Sequence, residues 1–164
     1  MAESNPASTP MDSKIKLEPN SALDTTPAFT RLFQSIIGSL IYIALGTRPD
    51  IAYSVICLAR YAANPTTDYM TTAKRILHYL KSIINQGIIY SNQNSPYISG
   101  YCDSNYAGDI ATAKSTFGWI FLLAGGPISW KSKPAFIVAQ STTEAEYIAI
   151  SAVGKEAVFI IQLL

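Results

Sequence analysis

The chain is short of the residues from which compact metal centres and nucleophilic sites are usually built. It has two cysteines, Cys57 and Cys102, in unlike contexts far apart in sequence, and one histidine, His78. That spacing gives neither a zinc-ligand pattern nor a disulfide framework and suits a reducing compartment, so both thiols read as small buried hydrophobes. His78 has no sequence partner that would make it a metal ligand or a general base. Charge is scarce as well: twelve Lys and Arg against eleven Asp and Glu leave a net +1, so no overall field advertises a nucleic-acid or membrane partner. The longest apolar run, "IIGSLIYIALG" at 36–46, has Arg31 and Arg48 near its ends and falls short of the roughly 20 residues a bilayer span needs. It reads as a buried helix. Residues 1–28 are polar and rich in Pro, Ser and Thr, with no apolar segment of the kind a signal peptide carries.

What remains is ample for a core. With 164 residues, 49% of them hydrophobic, the chain can fold as one domain or one and a half. Residues 1–28 cannot build a core and predict an extended or disordered lead-in. From Phe29 the apolar spacing is helical with explicit breaks, Pro49 and Asp50 opening one helix and Asn64-Pro65 closing it, so helices are expected at about 29–45, 49–63 and 67–82. After "NQNSP" the rhythm shortens to "YISGYCD", "TFGWIFLLA" and "PISWKSKPAFIVAQ", three strands with "AGGP" at 124–127 as a hairpin turn. A final helix is expected from about Thr142 to Leu164. The division is therefore a lead-in at 1–28, a helical segment at 29–95 and an α+β segment at 96–164.

The last helix raises a chemical question, because "STTEAEYIAI" carries two glutamates in an apolar setting. At 100° per residue, Ala145, Ile148, Ala149, Ala152, Val153, Ala157, Ile160 and Leu163 form one broad arc, with Glu144 opposite and Glu146 inside it. Ser141-x-x-Glu144 spells a capping box, which explains Glu144. Glu146 then needs a partner or a metal, since an unpaired carboxylate in an apolar arc is costly, and a buried salt bridge is as good an explanation as a functional role. Glu156 lands on the same side further along, where it could reach the rim of a sheet. For a second carboxylate, alternation puts Tyr97, Ser99, Tyr101 and Asp103 on one strand face, with Asp103 at the strand's end. Asp109 is the nearest further acid. The stretch from Asp103 also begins like a calcium loop, then fails at Ala107 and Lys114.

Five blocks in this order, "IGSLIYIALGTRPDIAYSV", "AKRILHYLK", "GYCDSNYAGD", "STFGWIFLLAGGPISWKSK" and "STTEAEYIAISAVGKEAV", resemble the C-terminal part of a copia-type retrotransposon polyprotein. The resemblance runs over about 29–164, from the end of the reverse transcriptase into the ribonuclease H domain. It implies an α+β fold: a helical thumb or connection segment, then the first three antiparallel strands and first helix of a truncated ribonuclease H-like fold. It also implies that Asp103 and Glu146 help hold two Mg²⁺ ions beside the scissile phosphate of RNA paired to DNA. Hard Mg²⁺ prefers carboxylate oxygens, and a metal pair suits in-line phosphoryl displacement. Ser104 and Asn105 are candidates for sensing the RNA 2′-OH. On the third helix Lys74, His78 and Lys81 share a face, with Arg75 nearby, opposite Ala73, Ile76, Leu77, Tyr79 and Leu80. That stripe could contact phosphates of a hybrid or primer-template, or be an ordinary solvated face.

The departures are specific. No Asp-Asp pair of a polymerase palm occurs, and the further ribonuclease H aspartate would lie beyond Leu164. The expectation is a Pol polyprotein fragment, inactive alone, intracellular in a cytoplasmic particle or the nucleus, with the rest of the polyprotein and nucleic acid as partners and no membrane. A non-catalytic nucleic-acid-binding module and a decayed gene product are the alternatives.

Overall fold

Each of the three long helices starts on a hydroxyl. In the computed structural model, which describes residues 5–12, 17, 25–92, 94 and 96–164, α1 (Pro27–Gly46) is capped by Thr26, whose hydroxyl accepts from the Phe29 amide at 3.3 Å. Pro27 fills the first turn, where its missing N–H costs nothing. Pro49–Ile51 form a 3-10 turn leading into α2 (Ala52–Ala59), and α3 (Thr67–Ser82) is capped by Thr66 from the Tyr69 amide at 3.3 Å. The helix expected to 63 thus stops at Ala59. Residues 60–63 tighten into i→i+3 turns, with the Tyr61 amide on Leu58 O and the Ala62 amide on Ala59 O, and the Gln34 side-chain amide takes up Ala62 O at 2.9 Å.

These helices belong to a first compact unit, Met1–Gly87. All three contribute to its interior: Phe33, Ile37, Leu40 and Ala44 from α1, Val55 and Leu58 from α2, Ala73 and Ile76 from α3. The buried α1 residues recur at helical spacing, so α1 hides one stripe rather than its whole circumference, and Leu32, Tyr42 and Leu45 lie exposed. The expected buried helix is therefore only half buried. Among the described residues α1 alone is long and apolar enough, by length and composition, to cross a membrane. The described parts of the lead-in up to residue 26, namely 5–12, 17 and 25–26, contain neither helix nor strand, whereas 27 and 28, expected to belong to it, already lie in α1. The rest of that expectation lies outside the described residues.

Arg48 and Asp50 supply the polar clamp of this unit. Arg48 Nε and Nη2 donate to the two Asp50 oxygens at 2.9 and 2.7 Å, and Tyr79 Oη of α3 donates to Asp50 at 2.9 Å. Desolvation alone would raise the Asp50 pKa. The hydrogen bonds from Arg48 and Tyr79 with the Arg48 charge outweigh it, so Asp50 lies below the usual carboxylate range.

The second unit, Ile88–Leu164, is an antiparallel meander with a helix on it. β1 (Ser99–Asn105), β2 (Thr116–Leu123) and β3 (Gly126–Pro134) lie in the order β1-β2-β3, and α4 (Thr142–Leu163) follows. The chain is thus α+β, with four helices and one three-stranded antiparallel sheet among the described residues. Ala124 and Gly125 form the two-residue β2–β3 loop, both at positive φ, +52° and +83°. The third strand, expected to run towards Gln140, stops at Pro134, and Ala135 donates its amide to Ser115 O at 2.8 Å. β2 and α4 meet through Phe117 under Ala149 and Ala135, with Trp119 and Ala152 packed alongside. Gly100 of β1 has to be glycine for that packing, because a Cβ there would run into the Phe121 ring.

Candidate functional site

The capping box closes as its spacing requires, with one refinement. Ser141 Oγ accepts from the Glu144 amide at 3.1 Å, and Glu144 Oε2 accepts at 2.6 Å from the amide of Gln140, one residue before the cap. Glu144 thereby fixes the entry of α4. Two residues on, Glu146 is half-buried. Ala145 and Ala149, buried against the sheet, define the inner face of the helix, and Glu146 lies on its flank. Glu156 is the glutamate that reaches into the interface: its Oε1 accepts from Ser129 Oγ of β3 at 2.7 Å.

Asp103 is exposed, third from the end of β1, which is an edge of the sheet. The register pairs Asp103 with Gly118 and Gly118 with Ser132, whereas Ser104 pairs with Phe117. Directly opposed residues share a sheet face. Phe117 packs under α4, so Ser104 turns towards the helix and Asp103 to the other face. Asp103 and Glu146 thus sit on packed neighbours, β1 and α4, but on opposite sides of the β1 backbone. Ser104 Oγ is sealed from solvent without a hydrogen-bond partner among the described residues, so it is not presented to a nucleic acid. Asn105 folds its side chain over Gly108, where a Cβ would collide with it. Asp109 is spent locally: its oxygens accept from the Ala111 amide at 3.1 Å and the Thr112 hydroxyl at 2.6 Å, while its own amide donates to Lys114 O.

No three His, Cys, Asp or Glu side chains among the described residues gather closely enough to hold a metal ion. Asp103 and Glu146 have the right donor chemistry for Mg²⁺, but this chain by itself does not fit a two-ion centre.

On α3 the wheel holds. Ala73 and Ile76 are buried, Lys74 and Lys81 are exposed, and Arg75 and His78 are partly covered. What covers them is the lead-in. Arg75 Nη2 donates to Thr9 Oγ1 at 3.0 Å, and His78 Nδ1 lies 3.0 Å from Asn5 O, a carbonyl that can only accept, which places the ring proton on Nδ1. A cavity of about 520 Å³ opens between the two, lined by Asn5–Ser8, Thr71, Lys74, Arg75 and His78.

Comparison with known proteins finds relatives. Over its whole length the chain is 37% identical to the retrovirus-related Pol polyprotein from transposon TNT 1-94 of Nicotiana tabacum and 38% identical to that from transposon RE1 of Arabidopsis thaliana, of which it spans 13% and 11%. Over 78% of its length it is 38% identical to a protein named secreted RxLR effector protein 161 of Plasmopara viticola, covering 90% of that protein. No protein-family model matches the chain, and no solved structure does.

Proposed function

From the similarity of the whole chain to retrovirus-related Pol polyproteins of transposons, we propose that it is the stretch of such a polyprotein running from the end of the reverse transcriptase into the ribonuclease H domain. The observation that carries this reading is an order of elements. Three antiparallel strands are followed by a helix that packs back on the first of them, with one carboxylate on that strand, Asp103, and one near the helix start, Glu146. Asp103 and Glu146 are the carboxylates of this chain that would help hold Mg²⁺, with further ligands required from outside it, and the ions would supply charge stabilisation for phosphoryl displacement. Within this chain, Ser141 and Glu144 set the helix start that presents Glu146, and β1 presents Asp103 at an open edge. The further ligands that a two-ion site needs would have to come from the rest of the polyprotein, and Asp103 would have to turn from the face it occupies here. The basic side chains of α3 supply sequence-independent contacts to the phosphates of the hybrid or primer-template.

The test is cleavage of the RNA strand of an RNA/DNA hybrid with Mg²⁺ by a chain extended past Leu164 into the polyprotein. Activity lost in Asp103→Asn and Glu146→Gln, with folding intact, supports the reading, and the 164-residue chain alone is expected to be inactive. Cleavage unaffected by either substitution overturns it. A second reading is a non-catalytic nucleic-acid-binding module, which needs the basic face of α3 but not a completed carboxylate pair. Hybrid binding without cleavage in the extended chain would select it.

A further inference from the structure

We propose that residues 5–9 form an intramolecular cover that holds the basic face of α3 in place of a polyanion and must leave before that face can bind one. This rests on the reading of α3 as a phosphate-contacting surface and adds its regulation. Three contacts join the segment to the helix. On the lead-in they come from Asn5, Ala7 and Thr9, every second residue, each offering an oxygen. On the helix they come from Arg75, His78 and Ser82, steps of three and four along one face. The pairing is Asn5 with His78, Ala7 with Ser82 and Thr9 with Arg75, so the segment doubles back at its bend from residue 8 and lies across the helix face rather than along it.

The cover is an imperfect ligand, and the imperfection identifies the occupant it stands in for. Ser82 Oγ lies 3.1 Å from Ala7 O but 2.7 Å from Tyr79 O of its own helix, so its one proton is shared. Arg75 gives Thr9 a single N–H, while its Nε is buried with no partner among the described residues. A guanidinium presents parallel donors, and one hydroxyl oxygen cannot take both. A phosphate group takes both at once. Among the described residues lining the cavity none is acidic to compensate the positive charges of Lys74 and Arg75. A phosphate-bearing strand would satisfy the fork and the charge together.

The measurement is fluorescence anisotropy with a labelled RNA/DNA hybrid and, separately, inorganic polyphosphate competing for a labelled polyanion. It compares the full chain, the chain lacking residues 1–12, and Arg75→Gln in both. The shortened chain is expected to bind both probes at least fivefold more tightly, with most of the gain lost in Arg75→Gln. Its melting monitored by circular dichroism keeps this from being read as unfolding. Independently, a nitroxide on Pro6→Cys, with Cys57 and Cys102 replaced by Ser, should broaden the amide resonances of 74–82. A shortened chain that binds neither probe more tightly, or a label that leaves α3 unbroadened, overturns the cover. Tighter binding of polyphosphate without hybrid binding keeps the cover and overturns the nucleic-acid reading on which the choice of partner rests.

Discussion

Glu156 accepts a hydrogen bond from Ser129 at 2.7 Å, tying α4 to the strand farthest from β1 in the sheet. A half-buried carboxylate at a helix–sheet interface is tolerable because this hydroxyl meets it. Ser129→Ala should strand the acceptor and cost about 1 to 3 kcal/mol, whereas Glu156→Gln keeps an oxygen for Ser129 and should cost less. Urea unfolding followed by tryptophan fluorescence reads this unit selectively, since Trp119 and Trp130 both lie in its sheet. Equal losses from the two substitutions would show that charge, rather than the hydrogen bond, is what matters.

The Arg48–Asp50–Tyr79 cluster should make the helical unit sensitive to acid. Asp50 is lowered in the folded chain, so below its unfolded value of about 3.9 the unfolded chain binds more protons. The contribution is present above about pH 4 and is lost as pH falls through the folded value. Tyr79 is raised, first by burial and then by its hydrogen bond to Asp50, so its contribution is lost on the alkaline side, as pH rises beyond about 10. Asp50→Asn should cost about 1 kcal/mol at pH 6, a modest figure for a pair with one side chain a third exposed. It should also flatten the loss of helical circular dichroism stability between pH 5 and 3. An unchanged acid profile would assign that loss to other carboxylates.

Glu144 and Glu146 of α4 should separate cleanly. Ser141→Ala removes the oxygen that meets the Glu144 amide and should cost about 1 kcal/mol, with Glu144→Gln costing less because an amide oxygen can still meet Gln140. Neither should abolish hybrid cleavage by the extended chain, while Glu146→Gln should do so at near-normal stability. Cleavage and denaturation measured on the same preparations check it, and cleavage lost equally in Glu144→Gln and Glu146→Gln would refute the separate roles.

Local chemistry was the legible part of this chain. Ser141 marks the start of α4 because a hydroxyl three residues before a free amide needs nothing distant, and Thr26 and Thr66 act in the same way at α1 and α3, where the pattern left the caps unmarked. The end of α2 was not legible, because Gln34, far away in sequence, captures the carbonyl of Ala62. Alternation found the strands, but a period of two does not say which set faces the helix, so the face of Asp103 waited on the pairing of Ser104 with Phe117. The cover on α3 left no signal, since at Asn5 and Ala7 it works through backbone carbonyls that every residue has. The basic stripe was visible; its occupant was not.

The β2–β3 loop gives a prediction in which neighbouring residues change stability in opposite directions. Both central positions have positive φ, Ala124 at +52° and Gly125 at +83°, the pattern whose twist matches an antiparallel hairpin. An L residue with a Cβ is strained there by about 1 to 2 kcal/mol, and glycine is not. Ala124→Gly should therefore stabilise the sheet unit by about 0.5 kcal/mol, the relief of strain being partly offset by the greater freedom of glycine in the unfolded chain. The Ala124 carbonyl, which accepts from the Ser91 amide at 2.9 Å, is kept because only the side chain changes. Gly125→Ala meets two penalties: the left-handed backbone, and the Asn94 side-chain amide, which occupies the place of the new Cβ. It should destabilise by at least 1 to 2 kcal/mol, from the backbone alone. Urea midpoints from tryptophan fluorescence for the two variants and the parent decide the matter. A lower midpoint for Ala124→Gly would mean that this loop does not hold Ala124 in the left-handed region in solution.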